Sequence, residues 1–212
     1  SIQALFNKFE EVPAGELRSK IEALAKRVEG RSDLTTLSIF PYCMQVYVVN
    51  TQQGATRNPL IRQAILATVN AEEIIGAMNA VAKPSHSLVY ASSPYYQGDA
   101  MKPYYDQKNP KKAKELLDEA KYDGTPIVLM HSTDLQILTN LAPVAKSLME
   151  RAGFKVDMQS MDWQTLVARR AKKDPPAQGG WHAFLTSWVS ADLLNPIMTG
   201  FLNASCEKAM FG

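Results

Sequence analysis

Trp188 and Asp192 stand just past the apolar run Trp181-His182-Ala183-Phe184-Leu185-Thr186-Ser187, and Asn195-Pro196 follows them. An aspartate in that place has two kinds of chemistry open to it. Its carboxylate can be the counter-charge for a ligand cation, where a charge-assisted hydrogen bond contributes on the order of 1.5–3 kcal/mol. It can equally cap a helix starting near Leu194, which needs only a side-chain oxygen beside free backbone N–H groups. Trp188 is either core or an apolar wall beside a ligand, and Trp163, at the junction of a strand and a helix, has the same two readings. Asn195 offers directional hydrogen bonds or the turn signal of an Asn-Pro pair.

A second group of polar residues runs His131-Ser132-Thr133-Asp134-Leu135-Gln136. His131 is either a ligand contact or an ordinary loop histidine. With Asp134 or Asp192 it has the residue types of an acid–base pair, yet the chain carries no catalytic signature. There is no G-x-G-x-x-G or G-x-x-x-x-G-K-[ST] phosphate loop and no G-x-S-x-G elbow. His86, His131 and His182 are isolated, without an H-E-x-x-H or H-x-H pairing. The expectation is a protein that is not an enzyme and holds no metal or cofactor, with His182 structural.

These groups need a frame, and the hydrophobic pattern supplies one. The 212 residues are 46% hydrophobic and 21% charged with a net charge of +2, values of a globular chain with neither a nucleic-acid footprint nor a basic membrane face. No apolar run approaches the ~20 residues of a membrane span, and the first residues lack the pattern of a signal peptide. Cys43 and Cys206 are too far apart in sequence for a metal-ligand spacing, and their pairing is open.

Helical spacing predicts a helix over Gly15–Val28, and β-branched and aromatic residues predict a strand over Gln45–Asn50. Asn58-Pro59 and Asn109-Pro110 each read as a cap followed by the first helical residue. Ile61, Ala64, Ile65, Thr68 and Val69 form the inner face of the first of these helices, and a short helix from Ala71 follows. The segment from Ala82 to Asn109 reads as a long loop in which Tyr90, Tyr95, Tyr96, Tyr104 and Tyr105 either cover the core or present a surface. Residues 126–161 read as a strand, a helix over Leu135–Arg151 bent by Pro143, and a strand, expected as a parallel pair. After a helix from Trp163, residues 181–187 read as a third strand. If it is parallel, His131–Gln136, Asp162-Trp163 and Trp188–Asp192 share one edge of the sheet, where α/β proteins usually hold ligands.

The order of these segments resembles the solute-binding proteins of ABC transporters in the dipeptide/oligopeptide-binding family. The resemblance is carried by Val49-Asn50-Thr51, Asn58-Pro59-Leu60-Ile61-Arg62-Gln63-Ala64-Ile65, Ala82-Lys83-Pro84, Tyr105-Asp106 through Ala113-Lys114-Glu115-Leu116-Leu117, Gly153-Phe154-Lys155-Val156 leading to Trp163, and Trp188 to Asp192 with Asn195-Pro196. It implies a mixed, largely parallel α/β sheet flanked by helices, one lobe of a class II periplasmic-binding-protein fold. Residues 1–212 would be a single lobe of a two-lobe protein, with 1–44 a peripheral entry segment, 45–203 the core and 204–212 an exit toward the other lobe. The implied function is capture of a small polar solute, a peptide first, between two lobes, and its delivery to a membrane permease. The implied location is the periplasm, or the cell exterior as a membrane-anchored lipoprotein in a Gram-positive. In peptide-binding members an aspartate matching Asp192 holds the peptide α-ammonium, and groups matching Thr133–Gln136 serve its other end or its backbone. Here Gln136 stands where some dipeptide binders have an arginine. The expected ligand contacts are therefore Asp192, Trp188, Trp163, Gln136, Asp134, His131 and Asn195. The same fold also serves nickel chelates, sugars and opines, and a protein-interaction module built on the tyrosine-bearing loop is the alternative from another class.

Overall fold

The computed structural model describes residues 43–201 apart from 79–81, 83, 86, 90–92, 97 and 198, and before them Ser19, Ala23, Lys26 and Arg27. Those four are helical, within the helix expected over Gly15–Val28. The rest of that helix, His86, Tyr90, Cys206 and the segment 204–212 lie outside the described residues. The chain divides into two compact units, Ser1–Phe40 and Pro41–Gly212, and the sheet lies in the second.

Strand β1 (Cys43–Val49) ends where Asn50 turns the chain: its Oδ1 accepts from the N–H groups of Gln52 and Gln53 at 2.8 and 3.1 Å. Helix α1 (Pro59–Thr68) begins as its sequence dictates, the Asn58 carboxamide oxygen accepting from Leu60 N–H at 2.9 Å with proline at the first helical position. Its inner face is Ile61, Ala64, Ile65, Ala67 and Thr68; Val69 falls at the C-terminal cap, half-buried. Helix α2 (Ala71–Ala77) is capped by Asn70, α3 (Gly98–Met101) is a single turn, and α4 (Pro110–Glu119) repeats the Asn-Pro start with Asn109.

Strands β2 (Ile127–Ser132), β3 (Val156–Met161) and β4 (Ala183–Val189) complete a sheet of order β1-β4-β2-β3 among the described residues. β2 pairs parallel with both β3 and β4, and β1 closes the edge antiparallel to β4. The sheet is thus mixed and largely parallel, and the third strand continues the parallel set, which meets the condition for a shared edge. It starts two residues later than the 181–187 reading, so His182 precedes the strand. β2 is buried throughout because it has neighbours on both sides and helices on both faces.

Alternation along the strands sorts the core into two layers. On one face Ile127, Leu129 and Leu185 pack with Ile61, Ile65, Leu117, Leu141, Ala145 and Met149; on the other Met130 and Phe184 pack with Leu166 and Trp181. Trp181 and Phe184 meet edge-on, with ring centroids 5.1 Å apart.

One expectation is corrected. The segment Leu135–Arg151 is two helices, α5 (Gln136–Thr139) and α6 (Leu141–Arg151), broken at Asn140 rather than bent at Pro143. A proline ring clashes with the carbonyl four residues back and has no N–H to give it, and for Pro143 that residue is Thr139. The helix therefore restarts, placing Pro143 in the first turn of α6 where no N–H is needed. Asn140 uses the break by donating its carboxamide to the Ala77 carbonyl at the end of α2, at 2.9 Å.

Candidate functional site

The parallel strands bring three chain exits to one edge of the sheet, and they do not end level. Leu129 lies opposite Ala183 and Met130 opposite Phe184. Continuing that register sets Ser132, the end of β2, opposite Thr186, so β4 runs three residues further, about 10 Å at ~3.3 Å per residue. β3 ends level with β2, Met161 opposite Ser132, while β1 accompanies β4 to its tip, Cys43 opposite Val189. The edge is a step, low at β2 and β3 and high at β1 and β4.

On the low side, just past β2, is a hollow of about 280 Å³ lined by Thr133, Asp134, Gln136, Thr139 and Asn140. Asp134 Oδ1 accepts from the Trp163 N–H at 2.8 Å and the Ser132 hydroxyl at 3.1 Å, which ties the exit of β2 to the start of helix α7 (Trp163–Arg170). Asp162 caps the same helix. Its carboxylate accepts from the Thr165 hydroxyl at 2.6 Å and the Thr165 N–H at 2.9 Å, and these bonds hold its carboxyl below the usual carboxylate range. Two of the acids at this edge are thus occupied by the frame. Gln136, exposed at the first position of α5, has no side-chain partner among the described residues.

On the high side β4 passes into a 3-10 turn, Ser190–Leu193. Leu193 is a wholly buried peg, and Asp192 beside it is exposed. No helix starts near Leu194, and the Asp192 carboxylate has no partner among the described residues. The capping alternative for Asp192 therefore has no support in the fold. Asn195 is exposed and its Oδ1 accepts from the Ile197 N–H at 3.0 Å, the Asx turn of an Asn-Pro pair; its amide N–H groups have no partner among the described residues. Trp188 is half-buried and stacks on Phe201 with ring centroids 4.2 Å apart and planes 18° apart. Its indole N–H is buried without a hydrogen-bond partner among the described residues.

Trp163 is a half-buried wedge shared by the two core layers, with the Arg170 guanidinium 6.0 Å from its ring centre. His131 lies in β2, not in the loop beyond it. Its Nε2–H donates to the Thr139 carbonyl at 2.8 Å and its Nδ1 accepts from the Ser160 hydroxyl at 2.9 Å, which leaves no ring nitrogen free for a ligand. His182 is buried behind the site; its Nδ1 accepts from the Val128 N–H at 2.8 Å, and burial lowers its pKa to about 4.

Two residues were not legible as site components. Ser93 donates its hydroxyl to the Leu194 carbonyl at 2.7 Å across 101 residues of sequence, a separation that no local pattern reveals. Thr199 places its hydroxyl against the carbonyls of Asp192 and Asn195, the latter at 2.8 Å. Its spacing of four from Asn195 was the available signal. Among the described residues no group of three or more His, Cys, Asp or Glu could hold a metal ion, and no helix is long and apolar enough to cross a membrane.

The description "bacterial extracellular solute-binding proteins, family 5 middle" matches residues 17–207. A "Probable peptide ABC transporter periplasmic-binding protein" of Sinorhizobium fredii is 29% identical over 167 residues, 77% of this chain and 32% of the relative. The periplasmic binding protein DppA of Helicobacter pylori, solved with the peptide STSA, aligns over 84% of this chain and 33% of its own at 19% identity and TM-score 0.56. The binding protein AgaA of A. tumefaciens R10, solved with agropinic acid, aligns over 72% of this chain and 31% of its own at 23% identity and TM-score 0.59. The chain spans about a third of the length of each. With nine-tenths of its residues matched and a mixed α/β sheet of the same fold, this chain belongs to the bacterial extracellular solute-binding proteins of family 5.

Proposed function

We propose that this chain is one lobe of a two-lobe solute-binding protein that captures a small polar solute with a cationic group, a peptide, and delivers it to an ABC-transporter permease. Asp192 supplies the counter-charge to the solute's ammonium group. Trp188 supplies an apolar wall, and Gln136 with the amide of Asn195 supplies directional hydrogen bonds. Trp163 and His131 act from behind, as wedge and brace. The second lobe closes over the step and contributes the remaining contacts. The working location is the periplasm, or the outer face of the membrane as a lipoprotein in a Gram-positive.

The observation that carries this reading is the carboxylate of Asp192. All three aspartates are exposed, but Asp134 and Asp162 are engaged by the start of α7, whereas Asp192, on the high side of the step, has no partner among the described residues. The test is calorimetric titration of the full-length protein with trialanine, an opine and a nickel chelate, each repeated on Asp192→Asn. Binding of trialanine that weakens tenfold or more in the variant, on the order of 1.4 kcal/mol, supports the peptide reading. Binding of trialanine that is indifferent to Asp192→Asn overturns it.

A second reading, a non-peptide solute, is favoured by one feature of the hollow. Its lining of Thr133, Asp134, Gln136, Thr139 and Asn140 offers no cation to a free α-carboxylate, and the fold is shared with a protein solved with agropinic acid. The opine and chelate arms of the same titration decide between the two.

A further inference from the structure

We propose that Ser93 and Thr199 are positioning residues for Asp192, clamping the backbone of its turn so that the carboxylate is held in place before any solute arrives. The inference rests on the solute-binding reading of Asp192 given above. The last carbonyls of a helical turn have no partner inside it, and in the Ser190–Leu193 turn and the residues after it three of them face two buried hydroxyls, one of which shares its single proton between two carbonyls. Thr199 faces the carbonyls of Asp192 and Asn195, and Ser93 donates to that of Leu194 at 2.7 Å. Both side chains are buried, at 7% and 5% of full exposure for Ser93 and Thr199.

Two further contacts close the clamp. The Leu193 side chain is wholly buried beneath the turn, and Phe201, two residues past Thr199, stacks on Trp188 at the end of β4. The backbone is thus fixed from below, from the loop side and from the returning chain, while the Asp192 carboxylate is exposed and without a partner among the described residues. A charged group held in its binding geometry loses little freedom on binding, which is the condition for preorganised affinity. Ser93 also accepts from the Tyr95 N–H at 3.3 Å. The clamp therefore links residues 93–95 to the Asp192 turn.

The test measures backbone order and affinity separately. In the ¹⁵N-labelled 212-residue chain, Thr199→Val and Ser93→Ala each remove a hydroxyl, and Thr199→Ser keeps it. Amide order parameters over residues 191–195 are expected to fall from a rigid value of about 0.85 toward 0.6 in the first two variants and to stay rigid in the third. Amides of residues 133–140 are expected to be unchanged. In the full-length protein, Thr199→Val is expected to weaken trialanine about tenfold, Thr199→Ser to leave it within about twofold, and the Thr199→Val/Asp192→Asn double variant to lose no more than Asp192→Asn alone. Should Thr199→Val fail to fold, Ser93→Ala carries the same prediction.

A turn that stays rigid in both hydroxyl deletions, or that loosens equally in Thr199→Ser, overturns the clamp. So does a double variant whose losses simply add. A turn that loosens as expected while Asp192→Asn leaves trialanine binding unchanged supports the clamp and overturns the peptide reading, so the two failures are distinct.

Discussion

The ring of His131 donates from Nε2 to the main-chain carbonyl of Thr139 at 2.8 Å, the same carbonyl that Pro143 leaves without an intrahelical donor. A proline in one helix and a histidine in the neighbouring strand are thereby two halves of one arrangement: the first opens the helix, the second satisfies what the opening exposes.

Removal of that brace is a stability lesion before it is a binding lesion. His131→Ala takes the ring donor from the Thr139 carbonyl and opens space at a position only 8% exposed. The expected cost is about 2–4 kcal/mol, measured by urea denaturation. Because neither ring nitrogen is free, the solute affinity of the folded fraction should fall far less than in Asp192→Asn. A variant of unchanged stability that no longer binds solute would make His131 a ligand contact after all.

Asp192 predicts the reverse pattern. Its carboxylate is exposed and unpartnered among the described residues, so Asp192→Asn should shift unfolding by no more than about 0.5 kcal/mol. The same change removes a charge-assisted hydrogen bond, and affinity for a cationic solute should fall on the order of 10- to 100-fold. Parallel denaturation and calorimetry on one preparation check both halves. A large stability loss would return the residue to the role of a structural cap.

Much of the frame was legible because local chemistry dictates it. Asn58-Pro59 and Asn109-Pro110 specify helix starts without help from the rest of the chain, and the alternation of Val156–Met161 specifies a strand with one face inward. The break at Asn140 is not legible from Pro143 as a bend at its own position. Its steric effect falls four residues earlier, where the carbonyl is. The site was legible in part. The parallel order of β2, β3 and β4 brings the expected segments to one edge, but sequence could not tell which acids the frame would occupy. That depends on a contact such as Asp134 with the Trp163 N–H, 29 residues apart. Ser93 and Leu194 are further apart still, and no periodicity records their meeting.

His182 should make stability depend on pH. Its Nδ1 accepts from the Val128 N–H at 2.8 Å, and Nε2 faces the Ala55 N–H at 3.2 Å. The neutral ring satisfies the shorter of these, whereas the imidazolium would set N–H against N–H at both. Burial accordingly lowers the folded pKa to about 4 from an ordinary value of 6.5. As pH falls the unfolded chain takes up this proton first, so the contribution is fully present above 6.5 and is lost between 6.5 and 4, on the order of 2 kcal/mol. Urea midpoints at pH 7, 6, 5 and 4.5 should decline more steeply for the wild-type chain than for His182→Gln. Equal slopes would mean that the ring takes up its proton in the fold as readily as in the unfolded chain.

Two glycines separate backbone packing from backbone entropy. Gly180 leads into the turn before β4, and a Cβ built there would lie 1.9 Å from the Asp174 carbonyl oxygen and 2.9 Å from the Pro175 carbonyl carbon. Both are main-chain atoms, and the Arg169 guanidinium holds the Gly180 carbonyl at 2.7 Å, so no side-chain rotation relieves the overlap. Gly180→Ala must displace either the 174–180 loop or the entry to β4 that carries His182, at an expected cost on the order of 3 kcal/mol or more. Gly76, inside α2, meets nothing within 4 Å of the same added atom. There the substitution only narrows the freedom of the unfolded chain, and Gly76→Ala should gain about 0.5–1 kcal/mol. Thermal denaturation of the pair is internally controlled, since both variants add one methyl group. Opposite signs are the expected result. A destabilised Gly76→Ala would mean that α2 is closed in by residues beyond those described, and a tolerated Gly180→Ala would mean that the 174–180 loop yields where its two backbones cross.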